Sequence, residues 1–145
     1  MLIVGTCHCE NIRFVLDWEP DPTEIVARAC TCSFCVKHGN VWTSKPDARL
    51  EIAIRDPSSV AHYEFGTKTA QFKTCTLCGV VPVVTCSIDD RLYAVVNTNT
   101  FDATAALLVR RTPSTLDNES TSDRLDRRRR NWISHVTLKQ AEPSR

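Results

Sequence analysis

The spacing of eight cysteines constrains this chain more than any other feature of it. All eight lie between Cys7 and Cys86, as Cys7-x-Cys9, Cys30-x-Cys32-x-x-Cys35, Cys75-x-x-Cys78 and a solitary Cys86. What such a set can do depends on the compartment and on the size of the fold that carries it. A chain of 145 residues is long enough to bury one core. Its 42% hydrophobic and 24% charged residues, with a formal charge of +1, place it among globular rather than disordered chains. No segment approaches the roughly 18 to 20 apolar residues of a membrane span. The opening residues Met1 to Gly5 lack a basic leader and a following apolar run, so neither membrane insertion nor secretion is expected and a cytoplasmic location is. The Asn118-Glu119-Ser120 sequon has meaning only in a secreted chain. In a reducing compartment many cysteines point to metal ligands or nucleophiles rather than disulfides.

Short runs rich in β-branched and aromatic residues recur between breakers: Ile12 to Leu16, Ile25 to Ala29, Val41 to Thr43, Leu50 to Ile54, Ala61 to Phe65, Ala70 to Thr74, Val80 to Ser87 and Leu92 to Val96. This pattern predicts a mainly β domain of antiparallel sheets. Pro82 lies inside one run and predicts an edge strand or bulge there. Asp56 to Ser59 predicts a short helical turn. Residues 110–145 hold no cysteine and carry nine of the 18 Lys+Arg against five of the 17 Asp+Glu, so the tail is +4 and the body −3. The division expected is a zinc-binding β domain over 1–109, then a linker and a basic C-terminal element over 110–145. Ser122 is placed to cap a helix in which Leu125, Trp132, Ile133 and Val136 recur on one face, with Asp123–Arg127 and Asp126–Arg130 pairs. The run Arg127 to Arg130 is tempered by those acids and has no interleaved aromatics, so it reads as a solvated face and no nucleic-acid partner is expected.

Zinc takes tetrahedral sulfur at about 2.3 Å, and two cysteine pairs from separate parts of a chain supply four ligands. In a strand a CxC pair would present both sulfurs to one side. A CxxC followed by Gly makes a knuckle, and Gly79 takes its left-handed position at the least steric cost. Cys7 and Cys9 are therefore expected to join Cys75 and Cys78 in a closed structural site that staples the N-terminus to the middle of the chain. Such a site contributes on the order of 10 kcal/mol of apparent folding free energy. Cys30, Cys32 and Cys35 then form a second site with one position open, the arrangement of a reactive zinc. His38 is the alternative fourth ligand, and Cys86 a third option that reads better as a small buried hydrophobe. An iron-sulfur cluster fits a division into four and three less well. His8, His62 and His135 have no metal companions in this reading, while Arg28 and Lys37 are placed to offset the net −1 of three thiolates on a divalent ion.

The residues GTCHC at Gly5 to Cys9, CTCSFC at Cys30 to Cys35 with Lys37 and His38 following, CTLCG at Cys75 to Gly79 and the segment Val96 to Asp102 resemble the glutathione-dependent formaldehyde-activating enzyme family, which includes centromere protein V. The resemblance runs from Gly5 to Asp102. It implies a β-tent fold with two zinc ions, a structural one on Cys7, Cys9, Cys75 and Cys78 and a catalytic one on Cys30, Cys32 and Cys35. It also implies a carbon-sulfur lyase that makes or cleaves S-hydroxymethylglutathione, or a related thiol conjugate, with glutathione or its conjugate and a small aldehyde as partners. Glu10 and Thr74 depart from the family pattern, which has Gly after CHC and often an aromatic residue before the knuckle.

The chemistry requires a thiol held beside an electrophilic carbon. Full ionisation of a thiol of pKa near 8.5 gains only about one and a half powers of ten at neutral pH, whereas holding two reactants in register is worth about 7 kcal/mol or more. Positioning is expected to dominate. His38 is the nearest candidate general acid or base in sequence. The alternative function is a non-catalytic, zinc-stabilised binding module.

Overall fold

The structure, a computed structural model, describes residues 1–115 and 119–141. The chain is mainly β, as expected, and forms two sheets. The smaller is built from β1 (Leu2–Thr6), β2 (Ile12–Asp17), β5 (Arg49–Ile54) and β11 (His135–Gln140), in the order β1-β2-β5-β11. The larger holds β3 (Ile25–Cys30), β4 (Val41–Thr43), β6 (Val60–Tyr63), β7 (Gln71–Cys75), β8 (Val83–Ile88), β9 (Arg91–Asn97) and β10 (Val109–Ser114), in the order β10-β3-β4-β9-β8-β7-β6. Among the described residues three α-helices interrupt them: α1 (Ser33–His38), α2 (Ala103–Ala106) and α3 (Thr121–Asn131). The expected turn at Asp56 is present, with the Asp56 side chain accepting the Ser58 N–H ahead of a 3₁₀ turn at Pro57–Ser59.

Alternation along the large sheet explains its nearly continuous apolar runs. Val83, Ala94 and Val96 face the small sheet and pack with Ile3, Phe14 and Ile52. Val84, Cys86, Tyr93 and Val95 face the other way and pack with Trp42 and Trp132. A sheet covered on both faces has no solvent side on which polar residues could alternate. Gly5 sits opposite Phe14 in the β1–β2 register, and a Cβ there would lie 2.1 Å from the Phe14 ring. The glycine of the GTCHC motif is thus needed for close approach.

The structure corrects several expectations. The sheets are not purely antiparallel: β10 pairs with β3 and β11 with β5 in parallel, so residues beyond 109 complete both sheets. Pro82 lies just before β8, an interior strand, and its carbonyl accepts the Asn97 N–H at 2.8 Å. Ser120, not Ser122, caps α3, accepting the Asp123 N–H at 3.1 Å. The helix stops at Asn131, because Trp132 turns extended and Ile133 exchanges both backbone hydrogen bonds with Ala94. Val136 belongs to β11. Arg127 pairs with Glu119 and Arg129 with Asp126 and Asp89, in place of the expected i,i+4 pairs. Part of the expected linker, including Asn118 of the sequon, lies outside the described residues.

Candidate metal centres and cavity

Cys7, Cys9, Cys75 and Cys78 come together with all sulfurs within 4.8 Å of one another. The means differ from those expected at one end. Cys7-His8-Cys9 is a turn between β1 and β2 rather than a strand, closed by the Glu10 N–H on the Cys7 carbonyl and the Cys7 N–H on the Ile12 carbonyl. The turn gathers the two sulfurs to 3.8 Å and leaves His8 exposed. The other end is the expected knuckle, with Gly79 at φ 81° and its N–H on the Cys75 carbonyl at 2.8 Å. Cys9 and Cys75 sulfurs stand 3.4 Å apart, and the Ile12 N–H points at the Cys7 sulfur at 3.3 Å.

The donor set fits zinc. A tetrahedral ion with sulfurs at about 2.3 Å sets its ligands about 3.8 Å apart, close to the spacing found. Without a cation the four thiols cannot share one site as anions. Burial, then the neighbouring thiols, pushes Cys7 up to about 12 and raises Cys75. Cys78 is held down to about 6 although burial opposes it, because the Val80 and Cys9 N–H groups and the adjacent thiols donate to it. Cys7 and Cys75 thus resist ionisation while Cys78 favours it, a conflict that a bound cation would relieve.

Cys30, Cys32 and Cys35 form the second cluster, also within 4.8 Å. Cys30 ends β3, Cys32 caps α1 and accepts the Cys35 N–H at 3.4 Å, and Cys35 is buried in that helix. The Trp42 indole N–H donates to the Cys35 sulfur at 3.3 Å, the kind of outer partner that fixes a ligand's orientation. Hydrogen bonding from Cys30 and burial raise the Cys35 thiol, so this set too calls for a cation. Behind it, Asn97 accepts from the Val41 N–H and donates to the Val81 carbonyl at 3.0 Å and to Asn40 at 3.1 Å. This buried network ties α1, β4 and the end of β9 together, which is the physical content of the Val96 to Asp102 segment.

Neither His38 nor Cys86 joins the three sulfurs. His38 is exposed at the end of α1, its ring 4.5 Å from that of Phe34. Cys86 is buried on β8 and accepts from Arg128 at 3.4 Å. Lys37 is exposed, whereas Arg28 is half-buried at the cluster.

The three cysteines line a cavity of about 150 Å³ whose opposite wall sequence reasoning missed. Arg124, Arg127, Arg128 and Trp132, from α3 and its C-terminal cap, face into it. The run Arg127 to Arg130 is therefore not a uniformly solvated face: Arg128 is only 6% exposed, stacked 4.8 Å over Trp132 and donating to Thr69 at 2.7 Å. The available signal was the pairing of Trp132 with Arg128 four residues earlier, which puts an aromatic ring beside a guanidinium.

These features define a mainly β protein with one four-cysteine and one three-cysteine cluster, each able to hold a metal ion. The model of the glutathione-dependent formaldehyde-activating enzyme family matches residues 2–114, and the chain belongs to that family. A crystal structure of a Rhodobacter sphaeroides protein is similar, with 25% identity and a TM-score of 0.52 over 75% of this chain and 99% of that one. No curated protein matches the chain. Among the described residues no helix is long and apolar enough to cross a membrane.

Proposed function

We propose that the chain is a zinc-dependent carbon-sulfur lyase that forms or cleaves S-hydroxymethylglutathione, or a related thiol adduct, in the reducing cytoplasm. Cys7, Cys9, Cys75 and Cys78 hold a structural zinc, and Cys30, Cys32 and Cys35 a catalytic one. The supporting observation is that three sulfurs line a cavity and, among the described residues, no fourth ligand is grouped with them. A closed site would have one.

Zinc bound there supplies Lewis acidity and stabilises a thiolate at neutral pH. The chain does the rest. Trp42 fixes Cys35, and the apolar wall formed by Phe72, Val84 and Val95 keeps the reactants from bulk water. In the forward direction the thiol sulfur uses a lone pair to form a C–S bond to the aldehyde carbon. The π pair of the carbonyl passes to oxygen, which gains a proton as the thiol loses one. Cleavage runs the same steps backwards. Holding sulfur and carbon in register inside this cavity accounts for most of the expected rate gain.

The test is Cys35→Ser. Metal content per chain should fall by one zinc while the sheet spectrum persists. Exchange of formaldehyde with glutathione, followed by magnetisation transfer, should return to the uncatalysed rate. Full exchange activity with one zinc missing would overturn the reading.

A further inference from the structure

The cavity wall contributed by α3 carries more positive charge than the described residues neutralise. Four guanidiniums line the cavity, Arg28 from β3 and Arg124, Arg127 and Arg128 from α3. Among the described residues Glu119 answers two of them, held by Arg127 through two hydrogen bonds of 2.9 and 3.1 Å and lying 3.7 Å from Arg124. A divalent ion on three thiolates would add one further negative charge. Arg28 and Arg128 have no acidic partner among the described residues. Arg28 donates to Ser44 at 3.1 Å, and Arg128 reaches only Thr69 and Cys86, leaving its buried Nε without an acceptor. Burying a guanidinium that lacks a counter-charge is costly. A fold that does so beside a reaction cavity has a use for the unmet charge.

We infer that Arg28 of β3 and Arg128 of α3 together form the subsite that holds a carboxylate of the thiol partner, so that these two residues set its discrimination against neutral thiols. This rests on the proposed function for the thiol but deepens it by naming the residues that recognise it, Arg28 on β3 and Arg128 on α3. The planar guanidinium, with its fixed fork of donors, suits a carboxylate better than any neutral group. Arg128 is held by Trp132 on one side and Thr69 on the other, and is thus oriented before ligand arrives.

The experiment is a titration of the zinc-loaded protein with glutathione and with glutathione diethyl ester, which keeps the thiol and removes both carboxylates. Trp42 and Trp132 line the cavity, and their fluorescence reports occupancy. The free acid should bind at least about tenfold more tightly, as expected when a hydrogen bond to a charged group is lost. Arg28→Met and Arg128→Met should bring the ratio towards one without loss of zinc. Equal affinity for acid and ester in the unaltered protein, or binding of neither, overturns the inference, and this comparison holds even where a variant fails to fold. The lyase reading is judged separately by exchange with formaldehyde: an ester that is turned over as well as the acid would sink the subsite and leave the lyase standing.

Discussion

Glu10 occupies the left-handed region, φ 66°, in the turn that brings the Cys7 and Cys9 sulfurs together. A residue with a Cβ is held there at a cost of roughly 1–2 kcal/mol, and the position is the one at which the family pattern has Gly. The departure noted in the sequence is therefore a backbone strain. Glu10 is exposed and close to the metal ligands without being one. Replacing it with Gly removes the strain but gives the unfolded chain more freedom, an opposing effect of about 0.4–1 kcal/mol. Glu10→Gly should therefore raise stability by up to about 1.5 kcal/mol, read as a higher midpoint in urea with unchanged zinc content. A lower midpoint would mean that the Glu side chain contributes more than the turn strain takes away. At this scale the sequence was legible where a residue's chemistry is its function, as with the knuckle Gly79. It was not legible where a residue acts through a distant neighbour, as Trp42 does on Cys35 and Asn97 on Asn40.

Strands were readable wherever both faces of a sheet are buried, since β8 and β9 consist almost wholly of apolar residues. Three edge strands were missed: β1, and β10 and β11, whose residues are mostly exposed or polar, so that their hydrophobic alternation is weak. Helix α1 escaped because six residues, with one cluster cysteine at the cap and another inside, give no periodicity. Helix α3 was foreseen but extended too far, because tertiary pairing of Ile133 with Ala94 overrides the 3.6-residue pattern. Its docking depends on Glu119, which lies only 18% exposed between Arg127 and Arg124. The Arg127 hydrogen bonds, and then the charges of the neighbouring arginines, hold this carboxyl below its ordinary value. A carboxylate with a depressed folded pKa stabilises the folded state fully above its unfolded pKa, and that contribution is lost as pH falls through the folded pKa. The stability advantage of the native protein over Glu119→Gln should therefore be constant at pH 6 and above. It should shrink steadily below about pH 4.3, as measured by paired urea titrations. A difference independent of pH would show that the pair does not support α3.

The whole molecule joins two sheets that share a core but meet the two cysteine clusters differently. The four-cysteine cluster bridges them, since Cys7 and Cys9 follow the small sheet's β1 while Cys75 and Cys78 end the large sheet's β7. The three-cysteine cluster lies within the large sheet and α1 alone, on the face away from the small sheet. On the proposed reading, loss of an ion from the first place would release the staple between sheets. Loss from the second releases only a cavity wall. A structural zinc on the order of 10 kcal/mol matches the whole net stability of a domain of this size, so the two losses should differ in kind. Titration with a zinc chelator, followed at once by metal release and by far-ultraviolet circular dichroism, should show two steps. The first ion should leave with exchange activity and without change in the sheet signal, because three sulfurs bind less tightly than four. The second should leave together with the sheet signal in one cooperative transition. Cys75→Ser should abolish the folded state from the outset, while Cys35→Ser should show the second step alone. If both ions left together, or the fold survived the loss of both, the bridging cluster would not be what holds the sheets to one another.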